Sequence, residues 1–191
     1  NLLVLIAVLW MSGCSRQTPT PTIPTLPLGE TRARLSDGMV MVSVPAGQFQ
    51  TGRDNTDWHT AQVNAFWIDK TEVTDEQYRL CMAAGVCDPP AYSHSGAEPY
   101  VVEEDYAKHP VIFVNTGQAD VYCKWAGARL PTEDEWSYAA RGPQSLTYPW
   151  GNDFDGTRLN YCDTNCPSGE ADLSVDDGYA GTYTVGSYPS G

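Results

Sequence analysis

Three observations predict an α+β domain. A few short stretches alternate apolar and polar residues as strands do, and short helical patterns each begin at a capping residue. Long irregular connections rich in glycine and proline, 17 and 14 of 191 residues, join them. No repeat of 20 to 50 residues is visible, which argues against a solenoid or propeller.

The elements follow in order. "MVMVSVPAGQFQTG" from Met39 reads as two short strands joined by a Pro-Ala-Gly turn, a hairpin. "AQVNAFWIDKTEV" supplies a further strand around Val63 to Asp69. Thr74 with Gln77 forms a capping box, and Tyr78, Cys81 and Met82 share one face of a helix running to about Ala84. A loop-like stretch to Lys108 precedes "HPVIFVN", an apolar run suited to a buried strand. Asn115 or Thr116 then caps a second helix with Ala119, Tyr122, Cys123 and Ala126 at helical spacing, stopped by Gly127.

"RLPTEDEWSYAARG" places Glu133, Asp134 and Glu135 side by side. With Thr132 as N-cap they fill the first helical turn, where carboxylates favour the positive end of the helix dipole and Glu135 completes a capping box. These acids are therefore assigned to helix initiation rather than acid–base chemistry. Trp136, Ala139 and Ala140 are the expected buried stripe, and Gly142 the left-handed stop.

A formal net charge of -13 opposes binding to a polyphosphate backbone, and no stripe of Lys and Arg offsets it locally. Nucleic acid is not an expected partner. The first residues run apolar from Leu2 to Met11 and turn small at Ser12 and Gly13, as a secretory segment does before cleavage. Ten apolar residues are too few to span a bilayer. The chain opens on Asn1 with no initiating Met or basic n-region, which predicts that it begins inside a longer product.

Met11-Ser12-Gly13-Cys14 resembles a bacterial lipoprotein box, although Met stands where Leu is usual. The resemblance implies lipidation of Cys14, a membrane anchor, and a place in the bacterial cell envelope outside the cytoplasm. Residues 15–37 alternate Thr and Pro early on and read as an extended spacer. Residues 1–14 are thus the signal segment, 15–37 the linker, and 38–191 the domain.

An exported domain favours disulfides. Beyond Cys14 the cysteines are Cys81, Cys87, Cys123, Cys162 and Cys166, an odd number. Spacing pairs Cys81 with Cys87 around a turn at Gly85, and Cys162 with Cys166 across a turn-rich loop. The alternative for the second pair, half of a zinc site, lacks a second Cys/His pair at ligand spacing. Cys123 is left over.

"WAGARLPTEDEWSYAARG" followed by "YPWGN" resembles the signature of the formylglycine-generating enzyme family, the sulfatase-modifying factors. "GMVMVSVPAGQFQTG", "FWIDKTEVTDEQY" and "HPVIFVN" match its earlier blocks in order. The resemblance covers about Gly38 to Gly191. It implies a C-type-lectin-like α+β fold with little regular secondary structure, incomplete at the C-terminus.

Family members that convert a sulfatase cysteine to formylglycine use copper and molecular oxygen, with paired cysteines in a C-terminal block after an Arg-Gly-Gly-Ser-Trp stretch. This chain stops at Gly191, before that block. Cys162 and Cys166 do not occupy those positions, and Cys123 resembles a structural cysteine whose partner lies in the same block. No catalytic residue is therefore assigned. A second branch, the sulfoxide synthases, holds iron with clustered histidines, but His59, His94 and His109 are dispersed in the sequence.

The resemblance also implies a structural calcium loop, with side-chain oxygens from Asn160 and Asp177 and backbone carbonyls from Tyr161 and Tyr179. Hard oxygen donors on irregular loops suit calcium. Two functions follow as expectations. One is a membrane-tethered, non-catalytic module that binds or scaffolds a protein or peptide. The other is a copper-dependent oxidase acting on sulfatases. The lipoprotein form favours the first.

Overall fold

The computed structural model describes residues 26–52, 57–96, 100, 103–166 and 171–189. The signal-like segment, Cys14 and the first part of the linker lie outside the described residues. Five strands, β1 (Thr31–Ala33), β2 (Val40–Val44), β3 (Gly47–Thr51), β4 (His59–Val63) and β5 (Phe66–Asp69), precede three helices. These are α1 (Asp75–Ala83), α2 (Thr116–Trp125) and α3 (Glu133–Arg141), followed by irregular chain with one 3-10 turn at Gly156–Arg158. The fold is α+β with limited regular secondary structure.

The expected hairpin between β2 and β3 does not form. β2 pairs antiparallel with β1 on one side and β5 on the other, while β3 pairs with β4. Val44 faces Phe66 and Gly47 faces Val63, so one register continues past Pro45 and Ala46. β2–β3 and β4–β5 are the two arms of a single long ribbon that reverses between Thr51 and His59. Pro45 has no N–H to give and interrupts the ladder without turning it. Gly47 is not among the positive-φ residues, as a tight hairpin turn would require. The expected strand from Val63 to Asp69 is likewise split at Asn64 and Ala65, opposite the proline.

The ordered domain also begins earlier than the linker boundary at residue 37. The last proline of the tract is Pro27, and beyond it Thr31–Ala33 is free to ladder with β2. Arg34 then donates to Asp37 at 2.6 Å and to Asp69 on β5 at 2.8 Å, with only 8% of its side chain exposed. Tyr122 on α2 donates to the same Asp37 at 2.5 Å. Burial alone would raise the Asp37 carboxyl, but hydrogen bonds from Arg34, Tyr122 and the Met39 N–H outweigh it and hold it below the ordinary range. Removing one partner of such a buried pair typically costs about 3–5 kcal/mol, so this network ties α2 to the sheet.

All three helices start where the sequence places them. Thr74 with Gln77, Asn115 with Gln118, and Thr132 with Glu135 each form a complete capping box. Each N-cap contributes about 1 kcal/mol. Arg129 pairs with Glu135 at 2.6 Å and, ahead of every other influence, holds its carboxyl down at about 2. Gly142 closes α3 through its N–H to the Tyr138 carbonyl, but at φ 65° and ψ -179°, a glycine-only conformation outside the left-handed helical well.

Two apolar clusters form the core. Val44, Phe49, Ala61 and Val63 of the ribbon pack on Tyr138 of α3. Tyr78, Cys81 and Cys87 pack on Tyr122 and Ala126 of α2. Tyr138 is 5% exposed and Trp136 is 62% exposed, so the buried face of α3 differs from the expected one, and Ala139 is also exposed. Tyr138 reaches Phe49 at 5.3 Å between ring centres across the ribbon, a contact that helical spacing alone does not reveal. The apolar run before α2 makes only a bridge, Thr74 to Pro110, and exposed Phe113 sits at φ 60°. That backbone conformation cannot continue a strand.

Candidate functional site

The chain after α3 folds around acids rather than apolar side chains. Asp163 is fully buried and accepts the backbone N–H groups of Asn165, at 2.8 Å, and of Asp177. Burial alone would raise its carboxyl, yet those amides outweigh burial and hold it low. Asp172 caps Ser174 and accepts the Tyr161 hydroxyl at 2.8 Å, and burial together with that bond pushes the phenol up to about 12. Such Asx turns let a segment without helix or strand satisfy its own backbone.

Three of the four residues assigned to calcium, Tyr161, Asp177 and Tyr179, are joined in this loop. Asp177 accepts the Tyr161 N–H at 3.3 Å through one carboxylate oxygen and the Tyr179 N–H at 2.8 Å through the other. Asn160 donates its amide nitrogen to the Gly181 carbonyl at 2.7 Å, which fixes the direction of its amide oxygen. Tyr161 and Tyr179, 18 positions apart in sequence, are thereby brought to one carboxylate. The donor set is hard oxygen throughout, which fits calcium and not a softer ion. Among the described residues no group of three or more His, Cys, Asp and Glu side chains converges on a metal position. A cation here would rest on one carboxylate and neutral oxygens.

Four of the five described cysteines are closed. Cys81 bonds Cys87 and Cys162 bonds Cys166, with Cα separations of 5.3 and 4.9 Å. Cys123 is a free, half-buried thiol, and burial, aided by the negative charge of Asp69, pushes its pKa up. A copper(I) site asks for thiolates, and these five sulfurs do not supply a pair of them.

The histidines, dispersed in the sequence, are not all dispersed in space. His94 and His109 stand edge to face with ring centres 6.0 Å apart, and both approach the Thr182 hydroxyl. His59 stays on β4, against the Asp57 carbonyl. Sequence reasoning missed the pair because the two imidazoles meet through an irregular loop packed on Tyr106 and the returning Thr182, with no helix or strand spacing to announce it.

Comparison with known proteins agrees with the fold. The family model described as "Sulfatase-modifying factor enzyme 1-like domain" matches residues 27–191. The chain is 27% identical to "Inactive C-alpha-formylglycine-generating enzyme 2" of Mus musculus, over 99% of this chain and 70% of that protein. It is also 27% identical to the "Formylglycine-generating enzyme" of Thermomonospora curvata, over 79% of this chain and 65% of that one. A 63% share of the chain is 34% identical to "Serine/threonine-protein kinase pkn1" of Chlamydia pneumoniae, covering 22% of the kinase. Among solved structures, PvdO from Pseudomonas aeruginosa superposes with a TM-score of 0.60 at 22% identity, over 86% of this chain and 69% of that one, and shows the same fold. With a family match across residues 27–191 and this fold beneath it, the chain belongs to the formylglycine-generating enzyme, or sulfatase-modifying factor, family.

Proposed function

We propose that this domain is a non-catalytic module that binds or scaffolds a protein or peptide, held outside the cytoplasm on a bacterial membrane through lipidated Cys14. The observation that carries the reading is the state of the described cysteines: four are locked in two disulfides, and the fifth is a thiol whose burial disfavours the thiolate. A relative named as inactive matches almost the whole chain, which adds support. Anchoring falls to Cys14, outside the described residues.

In this reading calcium occupies the loop of Asn160, Tyr161, Asp177 and Tyr179 and stiffens it without taking part in chemistry. The second reading, a copper-dependent oxidase that converts a sulfatase cysteine to formylglycine, draws on the match to the Thermomonospora curvata enzyme. It needs a thiolate pair from cysteines other than the described five.

Alkylation of the native chain near neutral pH, followed peptide by peptide, tests the proposal. Cys123 is expected to react slowly, and Cys81, Cys87, Cys162 and Cys166 only after reduction. Two described cysteines alkylating rapidly together without reductant would remove the proposal's support.

A further inference from the structure

Three side chains from separate parts of the chain meet beside α1. The Thr182 hydroxyl oxygen lies 3.0 Å from His109 Nδ1 and 3.3 Å from His94 Nδ1. Tyr106 stacks on His94 with ring centres 4.4 Å apart and packs edgewise on His109 at 4.9 Å. Tyr183 covers the other side of His109 at 6.0 Å. One backbone bond joins the same two segments, from the Val185 N–H to the Lys108 carbonyl at 3.0 Å.

A single hydroxyl between two imidazole nitrogens donates to one and accepts from the other. The arrangement is therefore satisfied by two neutral rings of opposite tautomer. His94 Nε2 is buried and has no hydrogen-bond partner, a position tolerable for a bare lone pair and poor for a charged N–H.

The charged groups around the pair do not relieve that. Asp75 on α1 and Glu103 before the Glu104–Tyr106 turn favour a His94 cation, and His109 opposes it. Asp75 is already engaged by the Tyr100 hydroxyl at 2.7 Å and by Arg79 at 3.6 Å, and Glu103 by the Ser95 N–H at 3.1 Å. Burial is the largest influence and keeps His94 below the ordinary imidazole value of 6.5.

We propose that His94, Thr182 and His109 form an acid-released latch, in which the neutral His94 ring helps hold residues 179–188 against residues 106–109 and its protonation frees that segment. Protonating His94 puts a charged N–H at its buried Nε2, which has no acceptor among the described residues, and that cost is relieved when the segment carrying Thr182 moves away and admits water. Because His94 binds its proton less readily folded than unfolded, the latch stabilises the fold above about pH 6.5 and loses that contribution as pH falls through the lower folded value. The freed segment carries Tyr179, so acid loosens the loop closed on Asp177. The inference stands whether or not calcium binds there.

Hydrogen–deuterium exchange of the full chain at about pH 7.5 and about pH 5.5, corrected for intrinsic exchange chemistry, tests it. Protection of residues 179–188 is expected to fall at the lower pH, by up to about tenfold, the most that one pH unit of linkage gives, while β2 and β5 stay protected. His94→Phe keeps the ring stack and removes the titration, so protection should become independent of pH. Equal protection at both pH values in the wild type, or unchanged pH dependence in His94→Phe, would overturn the latch. If the variant does not fold, titration of the wild-type His94 resonance by NMR decides. Backbone shifts at residues 182–185 should follow it, and a histidine titrating without them contradicts the proposal.

Discussion

A methyl group on Gly47 would lie 2.0 Å from the Tyr138 hydroxyl oxygen and 2.8 Å from the carbon that bears it. Gly47 is glycine because α3 presses a tyrosine onto the ribbon there, not because the chain turns. Gly47→Ala should destabilise the domain by about 1–3 kcal/mol, the usual cost of overpacking, read as a lower urea midpoint with an unchanged slope. Tyr138→Phe in the same chain should recover part of that loss, and a purely additive double variant would contradict the packing account. The sequence shows the glycine but not its reason, since the Pro-Ala-Gly string matches a turn and Tyr138 lies 91 positions away. Trp136 illustrates the same limit: its size suggests burial, while the ribbon's position selects Tyr138 instead.

At the scale of elements, the helices were legible and the strand partners were not. A capping box is complete within four residues, so Thr74, Asn115 and Thr132 announce their helices without help from the rest of the chain. Strand pairing is set by partners 7 to 28 residues away with no fixed spacing, and Pro45 looks the same in a hairpin turn as in a ladder break. The Cys81–Cys87 and Cys162–Cys166 loops are short enough for spacing to suggest them. The proposed calcium loop came from family resemblance, because the backbone carbonyls it would use carry no side-chain signature. Titration calorimetry should show calcium binding with a dissociation constant on the order of 10⁻⁴–10⁻³ M, as suits a site with few charges, lost in Asp177→Ala. No heat with the wild type, or the same heat with the variant, would exclude the site.

For the molecule as a whole, the sequence blocks led to the family, and the superposition on PvdO shows the fold they imply. Family membership does not choose a function, because one fold supports both an oxidase and proteins named as inactive. The choice rests on sulfur chemistry. Two disulfides and one thiol disfavoured as a thiolate leave the described part of the domain with no pair of thiolates to hold copper(I). The His94–Thr182–His109 cluster shows why such features stay hidden in one dimension: an irregular loop brings the two histidines together on Tyr106, and Thr182 joins them from 73 positions beyond His109. The most direct test incubates the chain with copper(I), oxygen and a cysteine-containing sulfatase peptide, and measures aldehyde by hydrazide capture and peptide mass. The account predicts no conversion above the copper-only control. Repeated turnover to the aldehyde would contradict it and establish the oxidase reading.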